Sequence, residues 1–397
     1  MNSKEVTEPM IEREIQETQM KRYGAILCFA LLAVFAFAAP LRADGISWTF
    51  KTETVDAATR FTSIATDSQG NVHLAYVTPS DHVFYGFRDS RTSKWFTTEL
   101  DNRASFTSLS LDSQENPSIC YTQQAMHYAH WDGTEWHKEQ IAPGAGTIAY
   151  YCSVAVSPDG VPRVTWYQER TPQDTNYLHM RYAYLDNGEW LVKTIDWDAQ
   201  TGKWNTMVLD KKGMPHLSFD SYVSGQLKYA FWDGKSWVVQ AVDSRRQSQE
   251  PGRGMGNSLI LDANGRPMIS YFEESAFKYA KQTEDGKWSI ETLASTNPSG
   301  TWAGYRSSQA LDNQGLPHLV YEDGGMLRHM NWDGKVWHTQ IIARPGAQRL
   351  RFASIAISSD NTIYISYCDG DDGSLKVAVG RPSATTASNE TEKKSNR

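Results

Sequence analysis

Five arginines, Arg60, Arg103, Arg253, Arg306 and Arg351, each stand just ahead of an alternating apolar segment. Tyr150 and Tyr305 occupy the same kind of place, while Glu273 and Glu322 follow the ends of other such segments. Arginine's planar fork makes paired hydrogen bonds to carboxylate, sulfate or phosphate groups. Tyrosine rings beside it would stack on sugar rings. Carboxylates opposite would supply acid and base groups, as paired carboxylates do in glycoside hydrolysis. The pattern predicts an anion site with Arg60, Arg103, Tyr150, Arg253, Arg306 and Arg351 as ligand-binding residues. Tyr305, Glu273 and Glu322 are its candidate catalytic residues. The plain alternative is a salt-bridged rim of facing loops; five arginines directed at one place favour a site.

Other constellations carry less. Asp369, Asp371 and Asp372 put three carboxylates on one tight loop and form a weak calcium candidate, without the ligand spacing or terminal Glu of a dedicated calcium loop. His127, His130, His137 and His179 mostly repeat positions that recur along the chain. No Gly-x-Ser-x-Gly, His-Glu-x-x-His or phosphate-cradling glycine loop occurs, which argues against serine-hydrolase and nucleotide chemistry. No organic cofactor is expected. The 39 Lys and Arg against 46 Asp and Glu leave a net charge of −7, and no basic block is present. Nucleic acid and anionic membrane are therefore poor partners.

The elements that would position these residues are written seven times. The phrase Ser258–Tyr271 recurs at Ser63–Tyr76, Ser108–Tyr121, Ser153–Trp166, Thr206–Phe219, Ser308–Tyr321 and Ser354–Tyr367. Each copy alternates apolar and polar residues on both sides of a turn and so reads as a hairpin. A third short strand follows, as in Leu227–Ala230. An Asp-Gly turn and a strand opening with Trp come next, as in Trp131–Trp136, Trp232–Trp237 and Trp332–Trp337. Successive copies start 45, 45, 53, 52, 50 and 46 residues apart. Four strands at that period predict an all-β, seven-bladed β-propeller. The last copy stops after its third strand, whereas Phe50–Asp56 resembles a fourth strand without its blade. The N-terminal strand is thus expected to complete the last blade and close the ring, leaving no open sheet edge.

Residues present in most copies read as scaffold. These are the first-turn Asp, the Tyr closing the second strand and the fourth-strand Trp. His73, His216, His318 and the third-strand cations Lys228, Lys278, Arg328 and Lys376 belong with them. Connections from fourth to first strand and from second to third share one face, where the arginines, tyrosines and glutamates fall.

The turns Asp132–Trp136, Asp233–Trp237, Asp285–Trp288 and Asp333–Trp337 resemble degenerate Asp-box (BNR-type) turns of the sialidase-like superfamily of β-propellers. They keep the Asp, Gly and Trp without the full Ser-x-Asp-x-Gly-x-x-Trp phrase. The resemblance covers about Gly45–Arg381 and implies blade architecture. The superfamily includes sialidases with an arginine cluster and a Tyr/Glu pair, polysaccharide lyases and non-catalytic lectins. It thus implies that Arg60, Arg306 and Arg351 form the cluster, with Tyr305 and Glu273 or Glu322 beside it. The expectation is a propeller that binds an acidic glycan or other anionic ligand at an Arg/Tyr/carboxylate site on the channel mouth. Cleavage, if present, would be glycoside hydrolysis or polysaccharide elimination. The alternative is a non-catalytic lectin or protein-binding scaffold.

Residues 1–43 read as a secretory signal peptide. Met20-Lys21-Arg22 is its positive region, with Met20 a candidate start, and Ala25–Ala39 its apolar run. Retention as an uncleaved anchor is the alternative to a secreted or periplasmic protein. The run is shorter than the roughly 20 residues a spanning helix needs, and no later segment is a candidate. Residues 44–381 are expected to form the propeller and 382–397 a disordered polar tail. A monomer is expected. Cys120, Cys152 and Cys368 allow at most one disulfide and read chiefly as apolar filling.

Overall fold

The computed structural model describes residues 47–383 apart from 123–124, 143–147, 170–178, 199, 222, 245–255, 274–275, 297–305 and 345–349. The expected signal peptide and nearly all of the expected polar tail lie outside the described residues, which contain no helix. The strands build seven four-stranded antiparallel sheets, six of them from consecutive strands. The seventh joins both ends of the described chain. Trp48–Asp56 pairs with Leu375–Pro382, setting Trp48 opposite Pro382 and Asp56 opposite Leu375. The protein is a seven-bladed β-propeller closed by its N-terminal strand. Blades 1 to 7 are numbered from their inner strands: Phe61–Thr66, Thr107–Leu111, Ile148–Val156, Thr201–Leu209, Ser258–Leu261, Ser307–Leu311 and Arg351–Ile357.

The recurring Ser links one inner strand to the next. Ser63 Oγ accepts the Leu109 N–H at 3.1 Å, and Ser108 Oγ that of Val154 at 3.4 Å. Ser153 Oγ takes Met207 N–H at 3.0 Å and Ser308 Oγ takes Ile355 N–H at 3.2 Å. Ser354 Oγ returns to Ile64 N–H at 3.4 Å and joins blade 7 to blade 1, whereas between blades 4 and 5 Thr206 Oγ1 donates to the Asn257 carbonyl at 3.1 Å. Second strands such as Val72–Val77, Pro117–Thr122 and Ile363–Cys368 are buried at every position, because a neighbouring blade covers each face. Ser366, Tyr76 and Tyr121 on these strands find partners across a seam, while His73 and Ser118 bond within their own blades.

The outer strands show what the Trp does. Trp136, Trp190, Trp237, Trp288 and Trp337 each meet a third-strand Tyr of the preceding blade edge to face. Centroids are 5.0 to 5.5 Å apart, from Trp136 on Tyr85 at 5.0 Å to Trp288 on Tyr229 at 5.5 Å. Such pairs contribute about 0.5–1.5 kcal/mol beyond area burial. Tyr121 and Tyr271 close second strands and donate to Asp101 and Asp243 of the preceding blade at 2.9 and 2.7 Å. Lys228 and Lys278 pair with Asp196 and Asp243 at 2.7 and 3.3 Å. His73 bridges the first-turn Asp67 and the Tyr85 hydroxyl at 3.4 and 2.7 Å. These contacts give the scaffold residues their physical roles.

Candidate functional site at the channel mouth

Register places one residue of each blade at the same level of the channel mouth, two positions ahead of the recurring Ser or Thr. Blades 1 to 7 contribute Phe61, Phe106, Tyr151, Trp204, Gly256, Arg306 and Phe352. Five aromatic rings thus share a level with one gap and one cation. They form a continuous arc. Phe352 lies 4.3 Å from Phe61, Phe61 4.4 Å from Phe106, Phe106 4.7 Å from Tyr151, and Tyr151 4.4 Å from Trp204, centroid to centroid.

The backbone is bent to hold them there. Tyr151, Trp204 and Phe352 have φ of 54°, 53° and 58°, in the left-handed region that non-glycine residues seldom occupy. Strand pairing slips at the same three places, so each inner strand carries a bulge that re-aims its aromatic side chain. The next blade secures two of these bends. Asn205 Nδ2 donates to the Tyr151 carbonyl, and Asn257 Nδ2 to the Trp204 carbonyl at 2.8 Å. Ser307 Oγ does the same for Gly256 at 2.6 Å.

Arg306 reaches across the arc. Its guanidinium lies 5.4 Å from the Phe61 ring centroid, 5.2 Å from Trp204 and 5.9 Å from Phe352. Gly256, in the blade between Trp204 and Arg306, puts no side chain at this level. No salt bridge or hydrogen bond to that guanidinium occurs among the described residues. Burial lowers the Arg306 pKa, which Tyr151, Cys152 and Glu322 oppose. Arginine still keeps its charge. The cation is therefore partly desolvated, held by ring faces, and open to an anion.

Polar groups surround this collar. Glu322 is buried at the end of the second strand of blade 6 and acts on both Arg306 and Cys368. On the opposite side, burial first and then the charge of Glu169 raise the Tyr150 hydroxyl pKa; at Tyr151 burial raises it, Arg306 opposes the rise, and Glu169 and Asp220 add to it. The Lys203 ammonium lies 5.3 Å over the Tyr167 ring. Beneath the collar the channel holds a cavity of about 280 Å³, lined by the recurring hydroxyls with Asn205 and Asn257.

The residues expected at the site divide. Arg306, Tyr150 and Glu322 lie at or beside the collar. Arg60 and Arg103 stay on the exposed rim, both tied to Asp81. Arg60 Nη1 meets its carboxylate at 2.9 Å, and the Arg103 N–H meets its carbonyl at 2.8 Å. Arg351 is half-buried next to Phe352, near Cys368. Glu273 forms an ion pair with Lys278. Lys376 lies between Asp369 and Asp372, 3.8 Å from the latter, so an ammonium stands within the calcium candidate. Tyr305 and Arg253 lie outside the described residues. A tight group of metal-type ligand atoms does occur at Asp132, Glu135 and His137, all exposed. Asp132 and His137 are 2.7 Å apart, and Asp333 with His338 repeats the pair at 2.6 Å, which marks a turn device of the blades. Charge-based reading missed Phe61, Phe106, Gly256 and Phe352. Their fixed offset from the recurring Ser is the signal that finds them.

No known family profile matches the chain, and no curated protein sequence does. Solved structures do. An ulvan lyase of a new polysaccharide lyase family, bound to a glucuronate–sulfated rhamnose unit, matches with a TM-score of 0.55 at 12% identity, over 83% of this chain and 98% of that one. What they share is the propeller. The β-propeller domain of Cps50 (Swd1) from Myceliophthora thermophila gives 0.52 at 11% identity, covering 83% and 99%. The Aleuria aurantia lectin in complex with Fucα1-6GlcNAc gives 0.50 at 12%, covering 74% and 100%. A lyase and a six-bladed lectin that both match this propeller leave function to be argued from the site.

Proposed function

We propose that this protein binds an acidic glycan end-on at the collar. Arg306 takes the carboxylate or sulfate, and the faces of Trp204, Phe61 and Phe352 receive the apolar faces of the sugar. One observation carries the reading: a half-buried arginine without an acidic partner among the described residues, enclosed by aromatic rings. A buried charge is costly unless paired, and a ligand anion would supply the pair. The carbohydrate-directed lyase and lectin, which share the propeller fold though the lectin has six blades, agree with this without deciding it. Export through the residue 1–43 leader would bring the protein to extracellular glycans.

A second reading adds cleavage. Glu322 acts electrostatically on Arg306, which would place a carboxylate beside a bound acidic sugar, and Tyr151 stands across from it. Calorimetric titration of the full chain with uronate-containing, sulfated and neutral oligosaccharides tests the binding reading, with Arg306→Ala alongside. Charge-assisted hydrogen bonds contribute about 1.5–3 kcal/mol, so the variant should bind acidic sugars roughly 10- to 150-fold more weakly. Equal affinity for neutral sugars, or indifference to the substitution, would defeat it. Analysis of released products separates lectin from lyase or hydrolase.

A further inference from the structure

Each blade seam places two residues side by side at one level. One is the second-strand residue opposite the recurring Ser or Thr; the other immediately precedes that Ser or Thr in the next blade. Four seams make a hydrogen bond there. Thr62 donates to Ser366 at 2.9 Å, Thr165 to Asn205 at 2.7 Å and Ser218 to Asn257 at 2.5 Å, while Ser270 and Ser307 share a bond at 2.9 Å. The blade 2–3 seam fills both places with cysteine. Cys120 stands opposite Ser108, and Cys152 precedes Ser153. Both are buried in one apolar cluster with Tyr128, Val164 and Trp166. Thiols are weak hydrogen-bond partners, yet this pair occupies a slot where other blades bring two short side chains into direct contact.

We propose that Cys120 and Cys152 form a disulfide that staples blade 2 to blade 3 directly behind Tyr151. The oxidant is a small disulfide such as oxidised glutathione. One cysteine thiolate attacks a sulfur of the oxidant and displaces one glutathione thiolate. The second cysteine thiolate then attacks the protein sulfur of that mixed disulfide and displaces the other. The two cysteines lose two electrons, the oxidant gains them, and the two cysteine protons leave on the two glutathione thiols. Burial raises the Cys120 pKa and suppresses its thiolate in the closed seam, so the bond is made while the blades pack together. Cys368 takes no part. Its thiol donates to the Thr59 carbonyl at 3.0 Å in the blade 7–1 junction.

The test is refolding of the full chain from denaturant in a glutathione redox buffer, followed by alkylation and non-reducing peptide mapping of material with native circular dichroism. The expected product is a crosslinked pair of peptides joined through Cys120 and Cys152, with Cys368 alkylated. Its thermal midpoint should exceed that of the reduced protein by about 5 °C. The Cys120→Ser/Cys152→Ser double variant recreates the Ser270–Ser307 pair; it should fold and match the reduced protein's midpoint. Native material in which both thiols alkylate, or in which each carries its own glutathione, would overturn the proposal.

Discussion

Arg306 and Arg60 show how differently one residue type behaves in two settings. Arg60 makes an ion pair with Asp81 in which both side chains are half exposed. Pairs of that kind contribute about 0–1 kcal/mol, so Arg60→Ala should leave the denaturation midpoint almost unchanged. Arg306 is enclosed by rings and lacks a carboxylate partner among the described residues. Replacing an unpaired, half-buried charge with an apolar side chain of similar length removes part of a desolvation cost. Arg306→Met is therefore expected to keep or raise the thermal midpoint while losing affinity for acidic sugars. A midpoint several degrees lower would mean that the cation–ring contacts outweigh the desolvation, and that Arg306 is scaffold. Arg306 and Tyr150 were legible as candidates because charge and aromaticity stand out. Phe61, Phe106 and Phe352 were not, since a phenylalanine at a strand entrance resembles core until register shows which level it occupies.

At the scale of the strand, the repeats in the sequence disclosed the blade count, the hairpins and the closing strand. They did not disclose the bulges at Tyr151, Trp204 and Phe352. Those arise from tertiary contacts, such as Asn257 Nδ2 on the Trp204 carbonyl, and not from local propensity. Asn257 also accepts the Ser218 hydroxyl at 2.5 Å. Asn257→Ala would orphan both groups, for a loss of about 1–3 kcal/mol each by the usual penalty for buried unsatisfied atoms. Urea denaturation should show that loss, and sugar affinity should fall with it as Trp204 loosens. Asn257→Asp separates the effects: its oxygen can still accept from Ser218 but cannot donate to the carbonyl. Affinity retained in Asn257→Asp would show that the bend at Trp204 needs no such support. The seam of Trp337 offers a second check. Its ring meets Tyr279 at 5.2 Å and its Nε1–H donates to Glu291 at 3.1 Å. Trp337→Phe keeps most of the ring contact and loses the donor, which predicts a cost of about 0.5–1.5 kcal/mol.

The whole ring carries a dependence on pH. Burial lowers the pKa of His73, His216 and His329, which are held between a first turn and a third strand or across a seam. The unfolded chain binds these protons near pH 6.5, whereas the folded chain resists them. More protons are bound unfolded than folded in the window below about pH 6.5, so stability is full above that window and drains as the pH falls into it. The maximal slope is about 1.4 kcal/mol per histidine per pH unit. Thermal midpoints measured between pH 8 and 5 should be flat above about 7 and fall below it. His329 sits in the slot that Tyr279 fills in blade 5, with Phe50 packed on it at 5.5 Å where Trp337 packs on Tyr279. His329→Tyr should therefore fold and show a shallower fall. An unchanged profile would assign the acid sensitivity to other groups.

The closing pair of strands also fixes how the ring responds to force. Trp48 faces Pro382 at the outer end of the pairing, and Asp56 faces Leu375 at its inner end. Tension applied at residues 48 and 382 thus acts across the two strands and not along them. The load falls on one rung at a time, beginning at Trp48–Pro382, so the pair opens like a zipper at low force. Blade 7 would give way first while the six blades built from consecutive strands stay folded. Pulled from its ends, the ring turns into an open chain of six blades before any of those six unravels.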